Sequence, residues 1–312
     1  MQVDIYNNEK IEVKPFLKWA GGKTQLINKI ESILPDVFTK NKKIKSYFEP
    51  FVGGGAIFFY LASNYNIKEA FLYDINKELI LSYNTIKNDP DELINHLIEL
   101  QNDFLPKDHA ERKEYFLSIR KKFNSDLENI NFDSYSKKHI IRASYTIFLN
   151  KTCFNGLFRL NKKGEFNVPM GKYKNPTICD EKNIKNVAKA LKIANIFNKS
   201  FIGSEKLIDD ESLVYLDPPY RPLNKTSNFT SYSENEFNDD DQMKLANYFD
   251  RITKKGAIAI LSNSDPKNED ENDNFFDDLY QNYDIMRVKA KRFINRDGDK
   301  RGPINEILVK NY

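Results

Sequence analysis

The sequence contains few of the residues that build disulfides and metal sites. Its 312 residues include two cysteines, Cys153 and Cys179, and three histidines, with no Cys-x-x-Cys pair. A disulfide framework or a structural zinc site needs more ligands than these. We therefore expect neither a disulfide-stabilised fold nor a bound metal.

Long apolar runs are also lacking. Apolar residues make up 40% of the chain and charged residues 30%, which is typical of a globular protein in water. No apolar stretch is long enough to cross a bilayer, and residues 1–10 lack the apolar core of a secretory signal. The expectation is a cytoplasmic protein without membrane contact.

Charge of one sign is scarce overall, because the formal net charge is only +3. It is unevenly distributed, however. Residues 151–174 carry six basic side chains against one acid, and residues 287–301 carry seven against two. Two basic patches on a nearly neutral chain favour a surface that follows nucleic-acid phosphates. A solvated face that binds nothing is an equal alternative for either patch.

Short apolar runs rich in β-branched and aromatic residues predict buried strands of a parallel sheet. The five runs are residues 46–49, 70–73, 198–202, 213–216 and 257–261. Helical spacing at 56–63 and 76–86 predicts a helix after each of the first two strands. Residues 283–291 and 306–311, joined by a turn-rich stretch at 295–303, predict an antiparallel hairpin at the sheet edge. We therefore expect an α/β fold with a mixed sheet of seven strands.

The interval from residue 89 to residue 195 is far too long for an ordinary crossover between two strands. Its first part, as far as Ser144, has helical spacing. Its second part, residues 154–173, has Asn-Lys-Lys-Gly between two short extended runs, which is typical of a hairpin. The predicted organisation is a catalytic domain of residues 1–88 and 196–312 with an inserted domain of residues 89–195.

A glycine-rich turn, FEPFVGGG at 48–55, separates the first predicted strand from its helix. Glycines at such a junction allow the backbone to approach a nucleotide-like ligand. Asp74 ends the next strand, where a carboxylate can accept hydrogen bonds from ribose hydroxyls or simply cap the following helix. A dinucleotide dehydrogenase is disfavoured, because Ile57 and Phe58 stand where GxGxxG needs a third glycine.

The most informative motif, Asp217-Pro218-Pro219-Tyr220, directly follows a predicted strand. Two prolines form a rigid turn without backbone donors, so carbonyl oxygens project beside a carboxylate. Asp217 and the Pro218 carbonyl can then accept the two N–H groups of an exocyclic amine, and the Tyr220 ring offers a stacking face. These three are the expected catalytic residues. An ordinary Pro-Pro loop is the alternative, and the order of the upstream motifs argues against it.

Together these motifs resemble the Dam-type DNA adenine methyltransferases, the D12 class. The likeness is carried by PFLKWAGGK at 15–23, FVGGG at 51–55, Asp74, FNGLFR at 154–159, GEFNVP at 164–169, DPPY at 217–220 and residues 226–232. The order of glycine loop, insertion and DPPY resembles the alpha group of amino-methyltransferases. The resemblance implies a class I S-adenosylmethionine-dependent fold, with a helical and β-hairpin DNA-recognition insertion in the mixed seven-stranded sheet.

The resemblance also implies roles for individual residues. The cofactor S-adenosylmethionine would be bound by Trp19, Lys23, Phe48, Gly53, Gly55, Asp74 and Asp217. A core tryptophan and a solvated lysine are the alternatives for Trp19 and Lys23. Double-stranded DNA would be bound through the hairpin by Phe154, Asn155, Leu157, Arg159, Lys162 and Pro169.

The implied reaction is methyl transfer to the N6 amine of an adenine in GATC. The base must leave the duplex to be reached, and Phe154 would be the wedge. Arginine can grip guanine O6 and N7, and leucine or proline can meet the thymine methyl. Enzymes that methylate cytosine N4 or an amide nitrogen usually carry Ser or Asn where Asp217 stands. A non-catalytic DNA-binding protein would leave the cofactor motifs unexplained. The sequence leaves open whether a cognate restriction endonuclease acts separately on the same site.

Overall fold

The computed structural model describes residues 12–19, 21–221, 237–291 and 303–312. Its sheet consists of β1 Lys43–Glu49, β2 Asn66–Tyr73, β3 Ala194–Phe197, β4 Ser212–Leu216, β5 Ile258–Ser264, β6 Asp284–Lys291 and β7 Pro303–Lys310. The strand order is β3-β2-β1-β4-β5-β7-β6. The first five are parallel, and β7 runs antiparallel to both β5 and β6. The prediction of a mixed seven-stranded α/β sheet is confirmed, while the turn-rich connection before β7 lies largely outside the described residues.

The predicted strand at 198–202 is wrong. The third strand is β3, and Phe201–Leu207 forms a 3₁₀ helix instead. The Ser200 side chain accepts a hydrogen bond from the Ile202 amide and so begins this helix. Among the described strands, β3 pairs with β2 alone, and it is partly exposed. An edge strand of this kind lacks the continuous apolar run that identifies a buried one.

The described α-helices lie between and beside the strands in chain order. They are α1 Ile27–Ile33, α2 Asp36–Thr39, α3 Ala56–Asn64, α4 Lys77–Asn88, α5 Pro90–Phe104, α6 His109–Ser125, α7 Lys138–Thr152, α8 Glu181–Ala190, α9 Asp239–Lys254 and α10 Phe275–Leu279. The expected βαβ order of β1, α3, β2 and α4 is present. None of these helices combines the length and apolar character that a bilayer crossing requires.

Local side-chain chemistry fixes where the key helices begin. Asn76 accepts a hydrogen bond from the Leu79 amide and caps α4. Asp108 and Glu111 form a reciprocal capping box at the start of α6. Both arrangements satisfy amide groups that have no partner inside the helix. They place the start of α4 immediately after β2 and the start of α6 immediately after α5.

The segment predicted as an insertion is helical in its first part and extended in its second. After α7 the chain doubles back through two isolated antiparallel bridges, Cys153 with Met170 and Leu160 with Phe166. Gly164 makes the tight turn with a positive φ of 74°. We call residues 153–170 the recognition hairpin. Helix α7 packs against α4 and shares one apolar core with the sheet. The division into domains at residues 89 and 195 stays a prediction.

A buried ion pair joins the helix after β2 to the helix before the recognition hairpin. Arg142 of α7 and Glu78 of α4 are almost completely buried. The Arg142 Nε donates to both Glu78 carboxylate oxygens at 3.1 and 3.0 Å. The same guanidinium donates to the Phe123 carbonyl and lies 3.5 Å from the Phe123 ring. This pair therefore joins α6 and α7 to α4, the helix that follows β2.

We predict that Arg142→Met lowers the free energy of unfolding by about 3 to 5 kcal/mol, because it leaves the Glu78 carboxylate buried without a cation. Urea unfolding followed by circular dichroism measures the loss. The Arg142→Met/Glu78→Met double variant should recover most of it, since an apolar pair replaces both charges. A single-variant loss under about 1 kcal/mol, the range of an exposed pair, would contradict the anchoring role.

Candidate active site

The sheet changes direction of strand addition at β1, which has β2 on one side and β4 on the other. Ligands of open parallel sheets bind outside the carboxyl ends of the strands at such a switch point. The FVGGG loop follows β1, Asp74 follows β2, and Asp217 follows β4. The fold therefore brings three sequence motifs to one edge.

A buried lysine lies at the centre of this edge. The Lys23 side chain is 4% exposed, and its ammonium is 2.7 Å from Asp217 Oδ1. It also donates to the Tyr220 hydroxyl at 2.9 Å and to the Gly21 carbonyl at 3.0 Å. Glu306, from β7, has its Oε2 3.9 Å from the same ammonium. Lys23 is thus neither a solvated surface lysine nor a core packing residue.

Burial and neighbouring charges act in opposite directions on the pKa values of Lys23 and Asp217. Burial by itself would lower the pKa of Lys23, but Asp217, Tyr220 and Glu306 outweigh it and the pKa is raised. Burial raises the pKa of Asp217, and the Lys23 ammonium opposes that rise. Lys23 therefore stays protonated and favours the ionised form of Asp217.

The Asp217 carboxylate is held from one side. Its Oδ1 accepts a hydrogen bond from Ser262 Oγ at 3.2 Å, besides the contact with Lys23. Ser262 in turn shares a hydrogen bond of 2.8 Å with the Tyr215 hydroxyl. Asp217 Oδ2 makes no hydrogen bond to any residue that the structure describes. Oδ1 is thus fixed by two donors, and Oδ2 is an unused acceptor with respect to the described part of the chain.

The carbonyl oxygens of Pro218 and Pro219 also differ in whether they accept a hydrogen bond. Gln242, buried on α9, donates from Nε2 to the Pro219 carbonyl at 3.1 Å. Asn263 donates to the Oε1 of Gln242 at 3.3 Å and supports it. The Pro218 carbonyl has no hydrogen-bond partner among the described residues. The turn therefore offers two unused acceptors, on Asp217 and on Pro218, beside the Tyr220 ring.

The glycine loop packs directly against Trp19. A Cβ at Gly53 would lie 3.1 Å from the Trp19 ring, and one at Gly54 would lie 3.2 Å from its Cβ. Gly53 and Gly55 both have positive φ, 47° and 71°, and Gly55 caps α3. Larger residues would displace Trp19 and strain the loop. The tryptophan is only partly buried, so it packs against the loop and keeps some accessible surface.

Asp74 has a structural task. Its Oδ2 accepts a hydrogen bond from the Gly53 amide at 3.0 Å, and its Oδ1 accepts one from the Asn76 amide at 2.9 Å. The carboxylate thus ties the glycine loop to the start of α4. Ile75, the next residue, is 58% exposed at the same edge. Sequence reasoning did not single out this exposed aliphatic side chain.

Phe48 was expected to contact the cofactor, but its side chain is completely buried in β1. Its ring stacks on Phe71 at 4.5 Å between centroids. We therefore assign the Phe48 side chain to the core, where β1 and β2 pack together. Cofactor contact at Phe48, which the backbone at the end of β1 could make, stays a prediction.

The residues expected to read DNA fall into two groups on the recognition hairpin. Phe154 is 52% exposed, and Asn155, Lys162 and Pro169 are exposed as well. Asn155 adopts a left-handed backbone conformation with φ of 57°. Leu157, by contrast, packs partly against the core. The structure brings these residues onto one short hairpin, but it presents Leu157 less than the others.

Arg159 is the only one of these residues with a side-chain hydrogen bond among those that the structure describes. Its Nε donates to Asn167 Oδ1 at 2.8 Å across the hairpin. The terminal guanidinium nitrogens bind no described residue. Asn167 therefore holds the guanidinium while leaving its paired donors available.

Buried hydrogen bonds and a ring contact join the hairpin to the segment that carries Lys23. Asn150, fully buried at the end of α7, accepts from the Lys18 amide at 2.9 Å and donates to the Lys18 carbonyl and the Gly156 carbonyl at 2.9 and 2.8 Å. The Trp19 ring stacks on Phe158 at 5.6 Å. Sequence reasoning missed Asn150, because a single helix asparagine carries no motif.

The two basic segments differ. A cavity of about 420 Å³ beside the recognition hairpin is lined by Lys107, Arg112, Lys172 and Lys174, which form no ion pair with any described residue. In the second segment, Arg287 is paired with both Asp265 and Asp277, and residues 292–302 lie outside the described ranges. Lys172 and Lys174 of the first segment are therefore without a carboxylate partner among the described residues, whereas Arg287 of the second segment has two.

A cleft at the switch point of a parallel sheet, with a glycine loop and a strand-end acid, is the arrangement of an α/β nucleotide-binding protein. The chain belongs to the D12 class of N6 adenine-specific DNA methyltransferases, whose family model matches residues 19–294. It is therefore an adenine-specific DNA methyltransferase, and the family implies S-adenosylmethionine as methyl donor. The dehydrogenase and non-catalytic alternatives are excluded.

Relatives match over nearly the whole chain. Type II methyltransferase M.MjaIII of Methanocaldococcus jannaschii is 50% identical over 97% of this chain and 100% of its own length. Type II methyltransferase M1.LlaDCHI of Lactococcus lactis subsp. cremoris is 36% identical over 99% of both chains. The DNA adenine methylase of Escherichia coli (strain K12) is 34% identical over 95% of this chain and 94% of its own.

We predict that Lys23→Met shifts the acidic limb of the pH profile of methylation to higher pH. The prediction assigns to Asp217 the role of an ionised acceptor for the amine, because the carboxylate is the stronger acceptor. Burial raises its pKa and Lys23 opposes the rise, so removing the cation leaves burial unopposed and raises the pKa further. Single-turnover methylation rates across the pH range measure the shift.

The matched control is Lys42→Met, because Lys42 also contacts a carboxylate and a tyrosine hydroxyl, those of Glu31 and Tyr65, far from the cleft. Its profile should coincide with that of the unsubstituted enzyme. An unshifted acidic limb in Lys23→Met would contradict the role of the ammonium.

Proposed function

We propose that this methyltransferase acts on an adenine flipped out of double-stranded DNA at GATC, with Asp217, Pro218 and Tyr220 as its catalytic residues. The observation that carries the proposal is the pair of unused acceptors on the DPPY turn. Asp217 Oδ2 and the Pro218 carbonyl both lack partners among the described residues. They lie beside a tyrosine ring that is 38% exposed, and an adenine amine presents two N–H donors and an aromatic face.

The residues at the cleft fit S-adenosylmethionine. Two carboxylates, Asp217 and Glu306, face one ammonium, Lys23, and this excess of negative charge suits a sulfonium. Each oxygen of the Asp74 carboxylate accepts one hydrogen bond from a backbone amide. A carboxylate oxygen retains a further lone pair that can accept from a ribose hydroxyl. Trp19 and exposed Ile75 offer apolar surface nearby. The bound cofactor would supply the methyl group.

The enzyme's own contribution is to orient the amine. The lone pair of an adenine amine is delocalised into the ring, so the nitrogen is a poor nucleophile. Two fixed acceptors that hold its protons favour the pyramidal geometry in which the lone pair can attack. Asp217 acts as an orienting acceptor and not as a base that must remove a proton first. Ser262 and Lys23 keep its other oxygen in place.

Base flipping costs a few kcal/mol of lost stacking. The exposed Phe154 is suited to fill the space that the base leaves, and Tyr220 is suited to stack on the extruded base. Asn155, beside Phe154, has an exposed side chain in a left-handed turn. This combination of an exposed aromatic residue and a fixed turn supports the wedge assignment.

Specificity for GATC is proposed to come from the recognition hairpin. Arg159, held by Asn167, can bind guanine O6 and N7 with two hydrogen bonds. Pro169 and the accessible part of Leu157 can meet a thymine methyl. Lys162 is exposed at the hairpin turn, where it can contact a phosphate.

A cognate restriction endonuclease is a further proposed partner. Two of the relatives carry the name Type II methyltransferase, which supports a system in which a separate endonuclease acts on the same site. Other relatives are named DNA adenine methylase, which leaves a solitary role open for this chain.

The purified enzyme should convert adenine to N6-methyladenine in GATC, as read by sequencing of the modified DNA. Asp217→Ala should slow transfer by roughly 100-fold or more, because it removes a preorganised acceptor. Asp250→Ala is the control, since the Asp250 carboxylate accepts a hydrogen bond from the Tyr283 hydroxyl away from the cleft. Methylation of a motif without GATC would refute the site, and a normal rate in folded Asp217→Ala would refute the catalytic role.

Arg159→Ala and Lys162→Ala should separate reading from positioning. Loss of a bidentate guanine contact costs about 1 to 3 kcal/mol of discrimination, so Arg159→Ala should methylate sites with a substituted guanine relatively more. Loss of a phosphate contact should weaken binding to all sequences alike and lower its salt dependence. Competition between GATC and singly substituted duplexes, repeated at several salt concentrations, measures both. An equal loss on every sequence in Arg159→Ala would make it a backbone contact.

A further inference from the structure

Glu306 lies in the candidate active site, but it belongs to none of the sequence motifs that predicted the site. It is on β7, paired with Ser264 of β5 and Val288 of β6, and is 7% exposed. Its Oε1 accepts a hydrogen bond from the Tyr220 hydroxyl at 3.0 Å. The last strand of the sheet therefore brings a second carboxylate to the DPPY turn.

The other carboxylate oxygen, Oε2, is buried and has no hydrogen-bond partner among the described residues. Lys23 is 3.9 Å away but cannot satisfy it. An ammonium has three donors, and those of Lys23 are directed to Gly21, Tyr220 and Asp217. A buried acceptor without a donor is costly, so stability alone does not account for a carboxylate at this position.

We propose that Glu306 is a positioning residue for Tyr220, which it holds so that the ring projects into the cleft. The tyrosine hydroxyl lies on the long axis of the ring, so a bond to it fixes the direction in which the side chain extends. The Lys23 ammonium, 4.5 Å from the ring centroid, supports the same side chain. The Tyr220 hydroxyl also accepts a hydrogen bond from Lys23 at 2.9 Å, so Lys23 and Glu306 hold the hydroxyl from two directions, and Glu306 acts through Tyr220.

The inference rests on the proposed function, in which Tyr220 stacks on a flipped adenine. It predicts that Glu306→Ala and Tyr220→Phe each lower the single-turnover methylation rate by roughly tenfold or more, the factor expected for a hydrogen bond to a charged group. Tyr220→Phe removes the bond to Glu306 and also the bond from Lys23, so the double variant should be no slower than Tyr220→Phe alone. Multiplicative losses, or an unchanged rate in Glu306→Ala, would overturn the proposal.

Glu306→Gln tests the hydrogen bond against the charge and guards against a folding defect in Glu306→Ala. Glutamine keeps an oxygen that can accept from Tyr220, so it should restore most of the rate. A rate as low as that of Glu306→Ala would show that charge matters and would overturn the proposal. The control is Glu69→Gln, a strand glutamate that accepts a hydroxyl bond from Ser46 away from the cleft.

A measurement without DNA or cofactor separates this proposal from the proposed function. In protein labelled at tyrosine Cζ with ¹³C, the Tyr220 signal is identified by its loss in Tyr220→Phe. We expect Glu306→Ala to shift that signal and Glu69→Gln to leave it in place. An unmoved signal overturns the positioning role, whereas methylation at another base or motif overturns only the proposed function.

Discussion

The active site depends on one buried cation. Lys23 is fixed between Asp217, Tyr220 and the Gly21 carbonyl, and it thereby joins its own segment to the DPPY turn, which is far away in the sequence. Burial opposes the ionised form of every carboxylate at this edge, so Asp217 and Glu306 would destabilise each other without the ammonium. The lysine makes it possible to place two acids at the end of a hydrophobic sheet.

The same segment couples the cleft to the recognition hairpin. Lys18 is held through both its amide and its carbonyl by Asn150, which also binds the Gly156 carbonyl. A Cβ at Gly156 would lie 2.5 Å from the Lys18 side chain, so only glycine allows this approach. The hairpin and the chain immediately before Lys23 are therefore held together by one buried asparagine side chain, which makes three hydrogen bonds.

The sequence predicts the parts of this structure that have a local signal. Continuous apolar runs identified the central strands β1, β4 and β5, and proline and glycine chemistry identified the turns that follow them. The edge strand β3 was misplaced because only part of it is buried. Gln242 and Glu306 were missed for another reason. Each is a single polar residue whose partners come from a distant strand or turn, so the information lies in the tertiary pairing and not in any neighbouring residues.

The small net charge does not show that acidic and basic side chains are concentrated in different regions of the molecule. The chain carries only +3 overall, yet its cleft contains more carboxylates than cations, while the cavity beside the hairpin is lined by basic side chains with no acid among them. A cationic cofactor and a polyanionic duplex require opposite fields within one molecule. Because buried pairs are screened far less than exposed ones, the negative cleft can persist close to the basic surface. The two fields are compatible because the carboxylates of the cleft are buried around Lys23 and the lysines beside the hairpin face solvent.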